Sequence, residues 1–122
     1  MQITVHQQGH SKVAVVTSPD VVIRDVQDAL DLMGSVRYNE GCDKIVIAKS
    51  GLTEEFFDLS TRLAGDILQK FTNYHVKLAI VGQFDGYASK SLKDFIYESN
   101  QGKQLFFLPD EQAALQALHS IA

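Results

Sequence analysis

The chain has little of what marks several large classes of protein. Its 122 residues include one cysteine, Cys42, two prolines and no tryptophan. A lone cysteine cannot form an internal disulfide bond, which fits a reducing compartment. No apolar run approaches the ~20 residues of a membrane-spanning helix, and the first residues lack the basic region and apolar core of a signal peptide. We therefore expect a cytoplasmic protein that does not associate with a membrane.

Positive charge is also scarce. Eleven Lys and Arg residues stand against fifteen Asp and Glu, which gives a formal net charge of -4 with no basic cluster. Such a chain offers no favourable surface to a phosphate backbone, so nucleic acid is not an expected partner. Apolar residues make up 45% and charged residues 21%, proportions that are typical of globular proteins. The length suits one domain, and we predict a single domain over residues 1–122.

What the chain does contain is an alternation of short apolar runs and helical patterns. The first two runs flank a turn at Gly9 and predict a β-hairpin. The three later runs are apolar throughout, as parallel strands covered on both faces are. Each later run is followed by apolar residues three or four apart, the spacing of a helix. The predicted strands are residues 2–7, 12–17, 44–48, 77–82 and 104–108.

These patterns predict an α/β fold with the element order ββαβαβαβα. The connections between the later strands require a mixed, mostly parallel five-stranded sheet. A helix over residues 25–38 follows the hairpin, with Asp25 as its N-cap and Gly41 at its C-terminus. Further caps are predicted at Ser89 or Ser91, and Pro109-Asp110 begins the last helix. The predicted core is Val13, Val15, Val26, Leu30, Met33, Ile45, Ile47, Leu63, Ile67, Leu78, Ile80, Phe95 and Leu115.

The segment after the third strand allows two interpretations. In one, Thr53 caps a continuous helix, and the polar residues that follow lie on its solvent side. In the other, the helix begins near residue 59 with Asp58 as its cap. A phosphate on Ser60 or Thr61 would then meet free backbone N–H groups at the positive end of the helix. The sequence leaves open whether the helix begins before or after Asp58.

Two resemblances to known families add to these predictions of fold and function. The run from Ser18 to Phe71, with the element order, resembles a STAS-type domain, the class of the bacterial anti-sigma factor antagonists. The stretches FFDL, LAGDILQKFTNYHVKLAIVG and SKSLKDFIYESNQGKQLFFL more closely resemble the bacterial domain-of-unknown-function family numbered four-one-eight-zero, to which no function is assigned. The STAS resemblance implies a phosphoacceptor for a partner kinase at the start of the helix after the third strand. The matching positions are Asp58, Ser60 or Thr61, and Leu63.

Three loops are expected to meet at the carboxyl ends of the parallel strands, where open α/β sheets bind ligands. They cover residues 49–53, 83–91 and 109–111. An alternative is that the polar residues of these loops only form turns, cap helices and contact solvent. The candidate ligand or partner surface is Ser50, Asp58, Asp85, Tyr87, Ser89 and Lys90.

No residue is predicted to be catalytic and no metal or cofactor is expected. The four histidines and Cys42 lack the spacing of a metal site, and no nucleotide-binding glycine pattern is present. We expect a regulatory or protein-interaction module with a protein partner or a kinase, as a monomer or homodimer. The alternative is a small-ligand binder or enzyme with a polar pocket of Asp58, Asp85, Tyr87 and Lys90.

Overall fold

The computed structural model describes residues 1–121 and has the predicted element order, ββαβαβαβα. None of the helices in this range is long and apolar enough to cross a membrane. The strands are β1 (Gln2–Gln8), β2 (Ser11–Thr17), β3 (Lys44–Ala48), β4 (Lys77–Val81) and β5 (Leu105–Leu108). The α-helices are α1 (Val26–Glu40), α2 (Leu63–Asn73), α3 (Lys90–Gln101) and α4 (Glu111–His119).

The five strands form one sheet in the order in which they occur in the chain. β1 and β2 pair antiparallel as a hairpin, with Gly9 at positive φ in the turn. β2, β3, β4 and β5 pair parallel, each with the next. The predicted α/β class and mixed, mostly parallel sheet are confirmed.

Helices cover both faces of this sheet. α1, α2 and α3 pack on one face in the larger apolar cluster, and α4 packs on the other with Val13, Val15 and Val46. Because side chains alternate along a strand, the neighbours Phe106 and Phe107 enter opposite clusters. Because β2, β3, β4 and β5 are parallel, their carboxyl ends lie at one edge of the sheet, and the loops that follow them meet there.

The predicted core is right for the strands and less accurate for the helices. Eight of the thirteen predicted residues are buried, including all six on the strands. Five helical residues are only half-buried: Val26, Leu30, Leu63, Phe95 and Leu115. In α1 the buried face is centred on Ala29, Leu32, Met33 and Val36. The prediction of Leu30 rather than Leu32 was wrong because their side chains point in different directions around the helix.

The predicted caps are confirmed. The carboxylate of Asp25 accepts a hydrogen bond from Asp28 N at 2.8 Å, and Asp110 accepts one from Ala113 N at 2.8 Å. Ser89, not Ser91, caps α3 by accepting from Leu92 N at 3.2 Å. Gly41 ends α1 in the left-handed conformation, with φ of 66°. These bonds satisfy backbone groups that helix ends otherwise leave open.

Both interpretations of residues 53–62 need correction, because α2 begins only at Leu63. Three short 3-10 turns, Lys49–Gly51, Glu54–Phe57 and Leu59–Thr61, precede it, and we call residues 49–61 the turn segment. Thr53 makes no side-chain capping bond, so the continuous helix is wrong. Asp58 does act as a cap, but of the third turn, where it accepts from Ser60 N at 3.1 Å. The left-handed Arg62, with φ of 65°, separates that turn from α2.

The edge strand β5 is closed by a side chain of α3. The amide of Asn100 donates to Phe107 O at 3.1 Å and accepts from Phe107 N at 2.8 Å. This pair of bonds resembles the pairing of a neighbouring strand at one residue. Asn100 therefore satisfies backbone groups that would otherwise be exposed at an unpaired strand edge.

Replacing Asn100 with alanine is expected to lower the free energy of unfolding by about 1–3 kcal/mol, because a part-buried N–H and C=O lose their partners. Asn100→Asp is the matched control, since it retains the acceptor but lacks the donor to Phe107 O. We expect Asn100→Asp to be destabilised as well. Urea denaturation of the three proteins measures the differences. Wild-type stability in Asn100→Ala would contradict this account of the edge.

A buried polar cluster lies at the opposite, amino end of the sheet. Lys44 is only 5% exposed, and its Nζ donates to Ser11 Oγ at 2.9 Å and to Ile121 O at 2.8 Å. His119 Nδ1 lies 2.8 Å from the same Ser11 Oγ. Burial lowers the pKa of His119, and the positive charge of Lys44 and the nearby His6 lower it further. Protonation of His119 is therefore less favourable in the folded protein than in the unfolded chain.

The stability of the protein is expected to fall as the pH drops through the ordinary His pKa of about 6.5. Below that value the unfolded chain binds a proton at His119 that the folded protein binds less well, so acid favours unfolding. His119→Asn removes the titrating ring. Chemical denaturation at pH 7.5 and pH 5.5 should show a smaller loss of stability in the variant than in the wild type. Equal losses would mean that another group causes the pH dependence.

Candidate functional site

The turn segment and the loop between β4 and α3 are joined at the carboxyl edge of the sheet. The rings of Phe57 and Tyr87 stack with centroids 5.4 Å apart and an interplanar angle of 16°. The Tyr87 hydroxyl lies 3.1 Å from both carboxylate oxygens of Glu54 and donates to that group. Because Phe57 and Glu54 follow β3 and Tyr87 follows β4, these contacts fix two strand-end loops relative to each other.

Lys49 adds a cation to this group of rings. Its Nζ lies 4.5 Å from the centroid of the Tyr87 ring and 5.7 Å from that of Phe57. Attraction between a cation and an aromatic face is favourable at these distances. Gly82 makes this path possible, because a Cβ there would lie 2.9 Å from Lys49 Cβ. The chain thus needs a glycine at the end of β4 for Lys49 to reach the rings.

The environment of Tyr87 keeps its hydroxyl protonated. Burial raises the pKa of Tyr87, and the hydrogen bond to Glu54 raises it further, while Lys49 opposes the shift. A neutral phenol donates a hydrogen bond to the Glu54 carboxylate, which retains lone pairs for other donors. Tyr87 therefore acts here as a fixed hydrogen-bond donor and stacking surface.

An open hollow of about 310 Å³ lies beside the stacked rings. Its apolar part is formed by Phe57, Leu59 and the stacked Tyr87, and its polar part includes the carboxylates of Glu54 and Asp58. It combines an apolar wall with two acids. Neither acid forms a salt bridge with any of residues 1–121. We call it the strand-end hollow, and its lining residues are Glu54, Phe57, Asp58, Leu59, Tyr87, Ala88 and Ser89.

The structure brings together three of the six residues predicted for a ligand or partner surface. Asp58, Tyr87 and Ser89 all line the strand-end hollow. Ser89 also caps α3, so the structural role that the sequence offered as an alternative holds for it.

The other three residues lie elsewhere. Lys90 is paired with Asp94 on α3, at 2.8 Å between Nζ and Oδ2, and Asp85 is exposed in the turn before Tyr87. Ser50 lines a separate cleft of about 260 Å³ at the ends of β2, β3 and β4, together with Ser18 and Glu111. The predicted pocket of Asp58, Asp85, Tyr87 and Lys90 is therefore not assembled as one lining.

The two candidate phosphoacceptors differ in what their hydroxyls do. Ser60 Oγ donates to Asp58 Oδ1 at 2.6 Å and is otherwise on the exposed side of the turn. Thr61 Oγ1 lies 2.8 Å from Asp58 O and 2.9 Å from Glu55 O, and it accepts from Leu63 N at 3.2 Å. Thr61 thus ties the turn segment to the start of α2. Modification of Thr61 would break those bonds, whereas modification of Ser60 would change only its bond to Asp58.

The residues that line the strand-end hollow offer negative charge, hydrogen-bonding groups and apolar surface. Within residues 1–121 no group of three or more His, Cys, Asp or Glu side chains is placed to hold a metal ion. In the same range, every buried side-chain nitrogen and oxygen has a hydrogen-bond partner. The arrangement supplies acids, a phenol donor and an apolar surface to whatever occupies the strand-end hollow.

Sequence reasoning missed Lys49, Glu54 and Phe57 as members of this site. A continuous helix capped by Thr53 would have placed Glu54 in its first turn and on its solvent side, away from any site. The adjacent Phe56 and Phe57 are not a sufficient signal, because a regular helix can also bury two adjacent large side chains, as α1 does with Leu32 and Met33.

Comparison with known proteins gives a family without a function. The model of the family described as "Domain of unknown function (DUF4180)" matches residues 8–118. No protein with a curated description matches the chain. The match confirms the family predicted from the local stretches of sequence, while the relation to STAS domains stays a prediction. With 111 of its 122 residues inside the match, the chain belongs to the DUF4180 family.

Proposed function

We propose that this protein is a regulatory module that recognises a partner protein through the strand-end hollow. The observation that supports the proposal is the pairing of two carboxylates, Glu54 and Asp58, with an apolar wall in one open depression. An apolar body with a charged tip is the form of an arginine or lysine side chain. The proposed ligand is therefore a basic side chain on an exposed segment of the partner.

The geometry of the strand-end hollow suits such a side chain. Its stem would lie against Leu59, Ala88 and the Tyr87 ring, and its cation would approach the carboxylates of Glu54 and Asp58. Hydrogen bonds between a cation and a carboxylate are about twice as strong as neutral ones. Stacking on Phe57 and the bond to Glu54 fix Tyr87 in place, so little side-chain entropy is lost on binding.

Ser60 provides a means of regulation in this proposal. Phosphorylation would add a charge of about -1.5 to -2 to the neighbour of Asp58 and remove the hydrogen bond between them. Repulsion between the phosphate and the Asp58 carboxylate would change the rim of the strand-end hollow. A partner kinase acting on Ser60, and not on the structurally engaged Thr61, would thus alter recognition. Control of partner binding by phosphorylation of Ser60 would agree with the phosphoacceptor that the STAS resemblance implies.

A peptide library is the direct test of recognition. Fluorescent peptides are screened against the wild-type protein, and each bound peptide is then compared with a version whose arginines and lysines are replaced by glutamine. We expect binders to depend on a basic residue. The double variant Glu54→Gln, Asp58→Asn should bind at least about tenfold more weakly, the loss expected when charge-assisted bonds are removed.

Glu98→Gln is the control, because this exposed acid lies on α3 outside the strand-end hollow and its replacement removes one negative charge, against two in the double variant. It should bind like the wild type. Binders that tolerate the loss of every basic residue, or that bind the double variant unchanged, would contradict the proposal. A Ser60→Asp variant with unaltered peptide binding would remove the regulatory part only.

A small-ligand function is the second candidate, and a different depression favours it. The cleft of about 260 Å³ at the ends of β2, β3 and β4 carries the polar groups of Ser18, Ser50 and Glu111 on an apolar floor. A thermal-shift screen of metabolite classes tests it, since a ligand at 100 times its Kd should stabilise the protein by ~2.7 kcal/mol. A shift that is lost in Glu111→Gln would support this cleft.

A further inference from the structure

Two exposed tyrosines, one on α1 and one just beyond α2, flank a groove on the outward side of α1. Tyr38 is 93% exposed, and Tyr74, just beyond α2, is 51% exposed. Between them lies a depression of about 330 Å³ whose lining is Leu30, Met33, Gly34, Arg37, Tyr38 and Tyr74. Exposed apolar patches of this kind mark contact surfaces. The groove lies on the helix and away from the loops of the strand-end hollow.

The sequence of this face is symmetric about Gly34. The buried side of α1 is formed by Ala29, Leu32, Met33 and Val36, so Gly34 lies near the middle of the solvent side. One turn before Gly34 stand Leu30 and Asp31, and one turn after it stand Arg37 and Tyr38. Each half thus supplies one apolar and one charged side chain, with opposite charges in the two halves.

We propose that this face of α1 binds the same face of a second copy of this chain. Helices that interlock through their i, i+4 ridges cross at about 50°. With the ridge Leu30–Gly34–Tyr38 along a two-fold axis, Asp31 of each copy lies across from Arg37 of the other. The two charged contacts are equivalent, as a two-fold interface requires. Charge complementarity therefore selects a second copy as the occupant.

Local contacts prepare the residues of this interface. Arg37 Nη2 donates to Tyr74 O at 2.7 Å, which holds the guanidinium at the rim of the groove and leaves further N–H groups for a carboxylate. Gln27 donates to Asp31 Oδ1 at 2.9 Å, which leaves the second oxygen of that group free of bonds within the described residues. A Cβ at Gly34 would meet nothing within 4 Å, so the space above it is open for another helix.

The contact is expected to be weak. One crossed pair of helices covers less than the ~1,200 Å² of a standard stable interface, so the dimer should dissociate at low protein concentration. Sedimentation equilibrium of the wild-type chain, from about 1 μM to about 1 mM, should show a concentration-dependent rise from 13.5 kDa towards twice that mass. A mass of one chain over the whole range would overturn the proposal.

Charge reversal tests the register. Asp31→Arg alone and Arg37→Asp alone each place like charges together, and each should weaken self-association at least about tenfold. An equimolar mixture of the two variants should associate again, because each variant then supplies the charge that the other lacks. Failure of the mixture to associate would overturn the proposed register.

Two controls separate this interface from loss of folding or from general charge effects. Circular dichroism should show that both reversed variants keep wild-type helix content, because Asp31 and Arg37 lie on the solvent side of α1. Glu98→Arg reverses an exposed charge on α3 and should leave self-association unchanged. Dissociation of the Glu98→Arg variant to the same extent would place the contact elsewhere and overturn the proposal.

Discussion

Replacing Phe107 with alanine is expected to lower the free energy of unfolding by about 3–5 kcal/mol. Phe107 lies on β5 under three other rings, with centroids 5.3 Å from Phe84, 6.0 Å from Phe95 and 6.5 Å from Phe56. Truncation removes buried apolar surface and leaves a cavity that these rings fill only in part. Because small proteins are stable by ~5–15 kcal/mol, this loss is a large share of the total.

The same substitution should loosen the candidate site. Phe56 belongs to the turn segment and Phe84 to the loop before Tyr87, so Phe107 supports both loops from below. Hydrogen exchange of amides in residues 54–61 and 84–89 should speed up in Phe107→Ala by more than in the α1 helix. This follows because loops with few buried contacts open locally before the core does.

Tyr97→Ala is the matched control for Phe107→Ala. Tyr97 is an aromatic residue on α3 with 67% exposure, and its removal should change the stability by no more than about 0.5 kcal/mol. Urea denaturation of both variants gives the comparison. A Phe107→Ala protein as stable as Tyr97→Ala would show that the rings repack fully around the missing side chain.

The sheet and most helix ends were predictable because their signals are local. Continuous apolar runs identify the parallel strands, and single residues such as Asp25, Gly41 and Asp110 determine where helices begin or end. The ion pair of Lys90 with Asp94 is also readable from the sequence, since residues four apart on a helix are neighbours. The i, i+4 spacing of Lys90 and Asp94 favours a surface ion pair over a place for Lys90 in a pocket.

The turn segment and the strand-end hollow depend on contacts between distant residues. The helical spacing of Phe56, Leu59 and Leu63 favours one helix, but the segment forms short turns in which Phe56 packs on Phe107 and Phe57 on Tyr87, both distant in sequence. A left-handed arginine at position 62 has no sequence signal, because glycine is the usual residue there. Likewise, the meeting of Glu54 with Tyr87 depends on how two loops pack.

The close approach of the turn segment to the sheet leads to the second prediction of large effect, Gly51→Ala. Gly51 is buried, and a Cβ there would lie 2.8 Å from Ile47 Cγ1 and 2.9 Å from its Cδ1. Its carbonyl also accepts hydrogen bonds from Val22 N at 2.8 Å and Ile23 N at 2.9 Å. Inserting a methyl group into this packed position should cost about 1–3 kcal/mol of stability.

Gly65→Ala is the matched control, with the opposite expected sign. Gly65 lies in α2 on the exposed side, and a Cβ there would meet nothing within 4 Å. Alanine favours a helix over glycine, so the stability should rise by up to about 1 kcal/mol. Thermal and urea unfolding of the two variants measure both signs.

The Gly51→Ala variant also distinguishes an effect on stability from an effect on peptide binding at the strand-end hollow. Ile47 is in the buried core of β3, so the strain is more easily relieved by a shift of the turn segment, which carries Glu54 and Asp58. Peptide binding at the strand-end hollow should therefore weaken at temperatures where Gly51→Ala is still fully folded, while Gly65→Ala binds like the wild type. Unchanged binding in a destabilised Gly51→Ala protein would show that β3, and not the turn segment, moves to make room for the methyl group. The positions of Glu54 and Asp58 would then not depend on the close approach of Gly51 to Ile47.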